Sequence, residues 1–236
     1  MVIKISKINY CLNKNLIIDT EVLYTVATQN LLNESAARTG KQRKTYTWDV
    51  KQTLMGLQRE IVATIIIKEY DLDLTPEEYI EKMDDQINNL MCSAKLLPGA
   101  SRLIKHLHQN DVPIALATSS GAESVAVKTT NHQQLFSLFH HKVMGSSDPE
   151  VKNGKPAPDI FLIAAKRFDE PIDPKDCLVF EDAPNGVKAA VDAGMQVVMV
   201  PDEHMTDEFK KGATLVLKSL EDFKPEYFGL PPFEKN

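Results

Sequence analysis

The sequence predicts an α/β protein with a parallel sheet and a small all-helical segment inserted after the first strand. Three observations predict it. From residue 112 onward, short apolar runs alternate with helix-compatible stretches. The runs are apolar throughout rather than at every second position, as in strands covered on both faces. Residues 22–95, by contrast, carry mostly helical signals.

Taken in order, Ile8, Tyr10 and Leu12 alternate with Lys7, Asn9 and Cys11, the pattern of an edge strand rather than a central one. Val22–Asn33 reads as helix. Ala36–Lys44 (AARTGKQRK) is polar and basic and reads as a solvated loop. Trp48–Tyr70 sets Leu54, Leu57, Ile61, Ile65 and Ile66 at helical spacing, with Trp48 as an anchor of the helical core. Thr75-Pro76-Glu77-Glu78 is a capping box: threonine at the N-cap, proline at the first helical position, glutamate at the third. Its helix continues through Leu90. Then follow a strand at Val112–Thr118, a helix at Gly121–Thr130, a short strand at Lys142–Gly145 and a helix at Pro156–Phe168. A strand at Cys177–Phe180 precedes a helix at Asn185–Ala193, closed by Gly194. Gln196–Val200 and Thr214–Leu217 are the last strands, and Pro225–Asn236 wraps the surface. Residues 1–20 and 96–236 form the Rossmann-like core; residues 21–95 form the helical segment.

The bulk numbers narrow the function. A net charge of -6 disfavours a polynucleotide partner, while a local pocket can still take a small anion. Three cysteines, far apart and without histidines at metal spacing, indicate neither a disulfide framework nor a zinc site. Cys177 reads as a buried apolar residue. No apolar run approaches the ~20 residues that cross a bilayer, and the N-terminus is too polar for a signal peptide. The expected compartment is the cytoplasm, with no membrane and no protein partner indicated.

Four elements fall at strand ends, where open α/β sheets place ligands. Thr118, Ser119 and Ser120 end one strand with three hydroxyls suited to phosphate oxygens. Lys155 stands between Gly154 and Pro156, in a backbone that prolines stiffen. Glu181 and Asp182 end another strand, where acids are costly unless they meet a cation or a partner. Pro184-Asn185-Gly186 then opens the next helix. Each signal alone is weak: a cap, a solvated lysine, a structural pair.

Together, GKPAPDIF followed by VFEDAPNGVKAA resembles the haloacid dehalogenase superfamily of phosphatases, in its subgroup with a small helical cap. The resemblance covers almost the whole chain from Asp19 onward. It implies Mg²⁺-dependent hydrolysis of a small phosphate monoester, such as pseudouridine 5′-phosphate or a related nucleotide or sugar phosphate. It implies that Thr118 bonds the transferring phosphate, with Ser119 beside it. Lys155 would neutralise charge, and Asp182 would bind magnesium with Glu181 supporting. Arg59, in Met55–Glu60, would be a substrate-side residue of the cap; pairing along its helix is an equal alternative.

One motif departs from the pattern. The family ends its first strand with a nucleophilic aspartate, then an acid/base aspartate two residues later, then glycine. Counting back from Asp19-Thr20-Glu21, these positions hold Leu12, Lys14 and Asn15, and residues 1–18 contain no aspartate or glutamate. Leucine supplies neither an attacking oxygen nor a metal ligand, so the resemblance implies catalysis lost or very weak and Mg²⁺ binding weakened or lost. Three readings stay open: a non-catalytic phosphate-binding or regulatory protein, an N-terminal segment unlike that of the working protein, or weak hydrolysis through another group. His140 and His141, being adjacent, cannot share a metal from a strand or helix and read as surface loop residues. Leu135, Phe136 and Phe139 read as core.

Overall fold

The computed structural model describes residues 9–12, 17–18, 21–54, 59–91, 94–170 and 172–234. The chain divides into two compact units, residues 1–18 with 95–236 and residues 19–94. No helix among the described residues is long and apolar enough to cross a membrane.

The first unit is built on a six-stranded parallel sheet: β1 (Asn9–Leu12), β2 (Ile114–Thr118), β3 (His141–Met144), β4 (Cys177–Glu181), β5 (Gln196–Met199) and β6 (Leu215–Val216). The spatial order is β3-β2-β1-β4-β5-β6. The order reverses at β1, so this is the sheet's switch point and its carboxyl end is the natural ligand crevice. Thus β1 is central, not the edge strand its alternation suggests. It pairs with both β2 and β4, and Leu12 lies level with Leu116 and Phe180. Strand position is set here by the long-range parallel partners, which a four-residue pattern cannot report.

Helices cover both faces. Ala115, Ala117, Val143, Val179, Val197 and Met199 pack one face against α8 (Asp159–Lys166) and α9 (Pro184–Asp192). The alternate residues, among them Leu116, Leu178 and Phe180, are also fully buried. On that side Phe180 meets Phe223 edge-on at 5.0 Å, and α5 (Ala100–Gln109) buries Leu103, Ile104 and Leu107. Two short helices, α6 (Ala122–Lys128) and α7 (Gln133–Phe136), lie between β2 and β3 in the chain. Leu135, Phe136 and Phe139 are core as expected. Burial pushes the Cys177 thiol up to about 12, so it stays a neutral packing group. Cys92 lies outside the described residues.

Several boundaries differ from expectation for local reasons. The Pro156–Phe168 helix begins only at Asp159. Pro158 disfavours helical backbone at the residue before it, so the chain cannot enter the helix sooner. His141 lies on edge strand β3 rather than in a loop. Its Nε2 donates to the Ala164 carbonyl at 2.9 Å, and the His140 and His141 Nδ1 atoms stand 3.0 Å apart. The two rings meet edge-on, with centroids 5.2 Å apart and planes at 87°. Burial holds His141 below its ordinary value. The tail does more than wrap the surface: Phe228 is buried and Phe233 packs on His106 at 4.7 Å.

The second unit holds α1 (Glu21–Thr39), α2 (Trp48–Leu54), α3 (Arg59–Tyr70) and α4 (Pro76–Met91). The first helix runs on through half of the expected basic loop, because Ala36 is buried and the segment contains good helix formers until Gly40, at φ 70°. The Trp48–Tyr70 stretch is two helices, with residues 55–58, including Leu57, outside the described ones. Its buried stripe is Ala63, Ile66 and Tyr70, while Ile61 is 46% exposed. The capping box at Thr75 forms in both directions, Thr75 N–H to Glu78 Oε2 at 2.8 Å and Glu78 N–H to Thr75 Oγ1 at 3.2 Å.

Candidate active site

At the carboxyl end of the sheet, three adjacent strands end on Leu12, Thr118 and Glu181. Thr118 is 2% exposed; its Oγ1 accepts the Ser120 N–H at 3.2 Å, which leaves the hydroxyl proton to donate. Ser119 is exposed, and its carbonyl accepts from Ser146 Oγ at 2.6 Å. That bond ties the strand-end turn to the segment following β3.

Lys155 reaches the same place from the β3–α8 loop. Its ammonium donates to Glu181 Oε1 at 2.5 Å and to the Ala117 carbonyl at 3.4 Å. It also stands 4.8 Å from the centre of the Phe161 ring, a cation–π contact. Both partners of the pair are buried, at 8% and 0% side-chain exposure, so each charge depends on the other to offset its lost hydration. The other Glu181 oxygen accepts the N–H groups of Asp182 at 3.1 Å and Ala183 at 3.4 Å. The carboxylate thus caps the entrance of α9. Gly186 makes room for it, since a Cβ there would overlap the carboxylate.

The expected site residues therefore separate into groups. Thr118, Lys155, Glu181 and the half-buried Asp182 lie together at the carboxyl end of the sheet. Glu181 is engaged as the partner of Lys155 and of two backbone N–H groups, rather than held out as a metal ligand. Arg59 belongs to the helical unit, where its Nη2 binds Asp84 Oδ1 on α4 at 2.6 Å, with both side chains more than half exposed. The aspartate raises the guanidinium's pKa. Leu12 is wholly buried. Lys14 lies outside the described residues. Two contributors escaped sequence reasoning. Phe161 had only an apolar helical spacing to mark it. Gly186 was visible in the run APNGV, but its reason is a contact with a side chain five residues back.

The donor set can be tested against a magnesium ion, which prefers several hard oxygens in octahedral array. Position 12 offers hydrocarbon, both Glu181 oxygens are occupied by protein donors, and Asp182 remains as one carboxylate. Among the described residues, no three acids, histidines or cysteines cluster to hold a metal. The described residues do not fit the family's metal.

A buried hydroxyl, a buried lysine and a paired carboxylate at the ends of neighbouring strands suit a phosphoryl-transfer scaffold, and the chain belongs to the haloacid dehalogenase-like hydrolases, whose family profile matches residues 16–194. That match starts beyond positions 12 and 14. The chain is similar to a Drosophila melanogaster protein described as probable pseudouridine-5′-phosphatase, 54% identical over 229 residues and 96% of each chain. It is 45% identical to (DL)-glycerol-3-phosphatase 2 of Arabidopsis thaliana over 222 residues, 93% of this chain and 89% of that one. A crystal structure of a haloacid dehalogenase family hydrolase from Deinococcus radiodurans shares the fold, with a TM-score of 0.75 at 20% identity over 92% and 93% of the two chains.

Proposed function

We propose that this chain recognises a small phosphate monoester, of the nucleotide or sugar-phosphate class, and has lost the step that attacks phosphorus. The observation that carries the reading is Leu12: fully buried, last in the central strand, between the strands that deliver Thr118 and Glu181. A group there is ideally placed beside a phosphate held by Thr118 and Lys155, and leucine brings no lone pair to it. Pseudouridine 5′-phosphate is the first substrate to try, because a relative sharing 54% of residues is described as its phosphatase.

In this reading Thr118 donates its hydroxyl proton to one phosphate oxygen and Lys155 balances the charge of another. Phosphate and Glu181 compete for the same ammonium, so affinity is modest. Asp182, one carboxylate with the hydrocarbon of Leu12 at the next strand end, offers too few hard oxygens to hold Mg²⁺ by itself. Arg59 is the helical unit's candidate for the substrate side, and it must leave Asp84 to act there.

A second reading, retained phosphatase turnover, is favoured by the full-length similarity to relatives described as phosphatases. Turnover of pseudouridine 5′-phosphate and of an aryl phosphate by the full chain with Mg²⁺, beside calorimetric binding of the same esters, separates the two. Binding without turnover, lost in Lys155→Met, is the expected result. Turnover that Asp182→Asn abolishes would show that another group attacks.

A further inference from the structure

The loop that carries Lys155 runs from the end of β3 at Met144 to the start of α8 at Asp159. Helix α8 fastens it at both of its own ends. At the amino end, Asp159 Oδ2 accepts the N–H groups of Lys152 at 3.2 Å and Asn153 at 2.9 Å, three and two residues before Lys155. These bonds hold the Asp159 carboxyl below its ordinary range.

At the carboxyl end, Arg167 follows the last helical residue. Its guanidinium forks Asp148, with Nη1 on Oδ2 and Nη2 on Oδ1 at 2.9 Å, and Nη2 also reaches Glu150 Oε1 at 2.7 Å. Asp148 is 9% exposed and Arg167 29%, so this pair is sheltered in a way ordinary surface pairs are not. Asp148 Oδ1 accepts the Glu150 N–H as well, at 3.1 Å. Arg167 accordingly pulls the Asp148 carboxyl below its usual range. The fork is planar and bidentate, a geometry that a lysine cannot reproduce.

We propose that Arg167 is a positioning residue for Lys155: by clamping Asp148 and Glu150 to the end of α8 it fixes the loop from which the ammonium reaches the phosphate place beside Thr118. Arg167 itself touches neither Thr118 nor Glu181. Its effect passes through the loop backbone, which is held at 148–150 by the fork and at 152–153 by Asp159. Lys155, two residues past the second tether, inherits a narrow range of positions. The inference rests on the proposed phosphate site for its functional meaning, and on geometry alone for its structural one.

The test uses the full chain and two readouts. The first is the ¹⁵N signal of the Lys155 ammonium, assigned by its loss in Lys155→Met; a buried, ion-paired ammonium exchanges its protons slowly enough to be seen. The second is the affinity for inorganic phosphate by calorimetry. In Arg167→Lys, which keeps the charge and removes the fork, the ammonium signal is expected to broaden or shift. Phosphate affinity should fall on the order of tenfold, since small misplacements of a site group cost that much or more. Asp148→Asn should do the same, whereas Lys188→Met, which breaks an exposed pair on α9, should change neither readout.

An unchanged ammonium signal in Arg167→Lys, with native circular dichroism, overturns the proposal. So does an altered signal with unaltered phosphate affinity. If the unaltered chain binds neither phosphate nor pseudouridine 5′-phosphate, the proposed function fails, and the ammonium signal still decides whether Arg167 positions Lys155.

Discussion

The ends of two neighbouring strands, β1 and β4, show how differently a fold treats its chemistry and its packing. At the end of β4, Glu181 is buried and every partner it needs is present: Lys155 on one oxygen, two N–H groups on the other, and a glycine that leaves space. At the end of β1, one strand away, Leu12 is buried just as completely, with no polar partner to satisfy. The first end is polar and specified by a chain of mutual requirements. The second is an ordinary piece of core. A buried acid that loses its cation or partner destabilises the fold, whereas a leucine in its place does not. The sheet therefore accommodates leucine at position 12, while loss of Glu181 or Lys155 alone would damage it.

The largest expected effect comes from making the β1 end resemble the β4 end. Leu12→Asp/Lys14→Asp should raise phosphatase turnover with Mg²⁺ by several orders of magnitude, the scale on which nucleophiles count in concerted sites. It should also make stability depend on metal. A new carboxylate at a fully buried position is costly without a cation, so the melting temperature of the double variant should rise with added Mg²⁺, and that of the unaltered chain should not. Turnover that stays flat while Mg²⁺ stabilises the variant would place the defect elsewhere than in attack.

Breaking the β4 end comes next. Lys155→Met leaves the Glu181 carboxylate buried without its ammonium and should cost about 3–5 kcal/mol in urea unfolding. Lys155→Met/Glu181→Gln removes both charges and should recover much of that loss. Equal destabilisation by the single and double variants would show that packing, not charge, is what the pair contributes.

A smaller effect tests the space rather than the charge. Gly186→Ala would push a methyl group into the Glu181 carboxylate and should cost about 1–3 kcal/mol, with Lys155 displaced along with its partner. Gly154→Ala, one residue from Lys155 with open space at its Cβ, should be close to neutral. Matching effects at the two glycines would remove the argument that Gly186 is fixed by the carboxylate.

Legibility followed the range of the interactions. The strands from β2 onward were readable because each is apolar throughout, and a doubly covered strand has no other way to be written. The capping box at Thr75 was readable because both its bonds lie within four residues. The place of β1 was not: only its partners, more than a hundred residues on, make it central. The buried face of α3 was not readable either: Ile61 and Ile65 keep helical spacing, yet Ile61 faces solvent and Ala63, Ile66 and Tyr70 are the buried residues. In the candidate site, Thr118, Glu181 and Asp182 were readable as polar residues at strand ends, and Lys155 as a lysine between a glycine and a proline. The pairing of Lys155 with Glu181 was not, since 26 residues separate them. Nor was the Arg167–Asp148 fork, whose members look like ordinary surface charges.

The smallest effect sharpens the comparison by repeating its logic where no burial is involved. Thr75 and Glu78 satisfy each other reciprocally at the start of α4, much as Glu181 and the entrance of α9 do, but both are exposed side chains or nearly so. Water can replace either partner there. Thr75→Ala should therefore cost only about 1 kcal/mol, read as a small shift in the urea midpoint with turnover and phosphate binding unchanged. If it cost as much as Lys155→Met, reciprocity itself would be the stabilising feature. The expected gap between the two assigns the difference to desolvation, the same effect that makes a hydrocarbon side chain at the end of β1 cheap to bury.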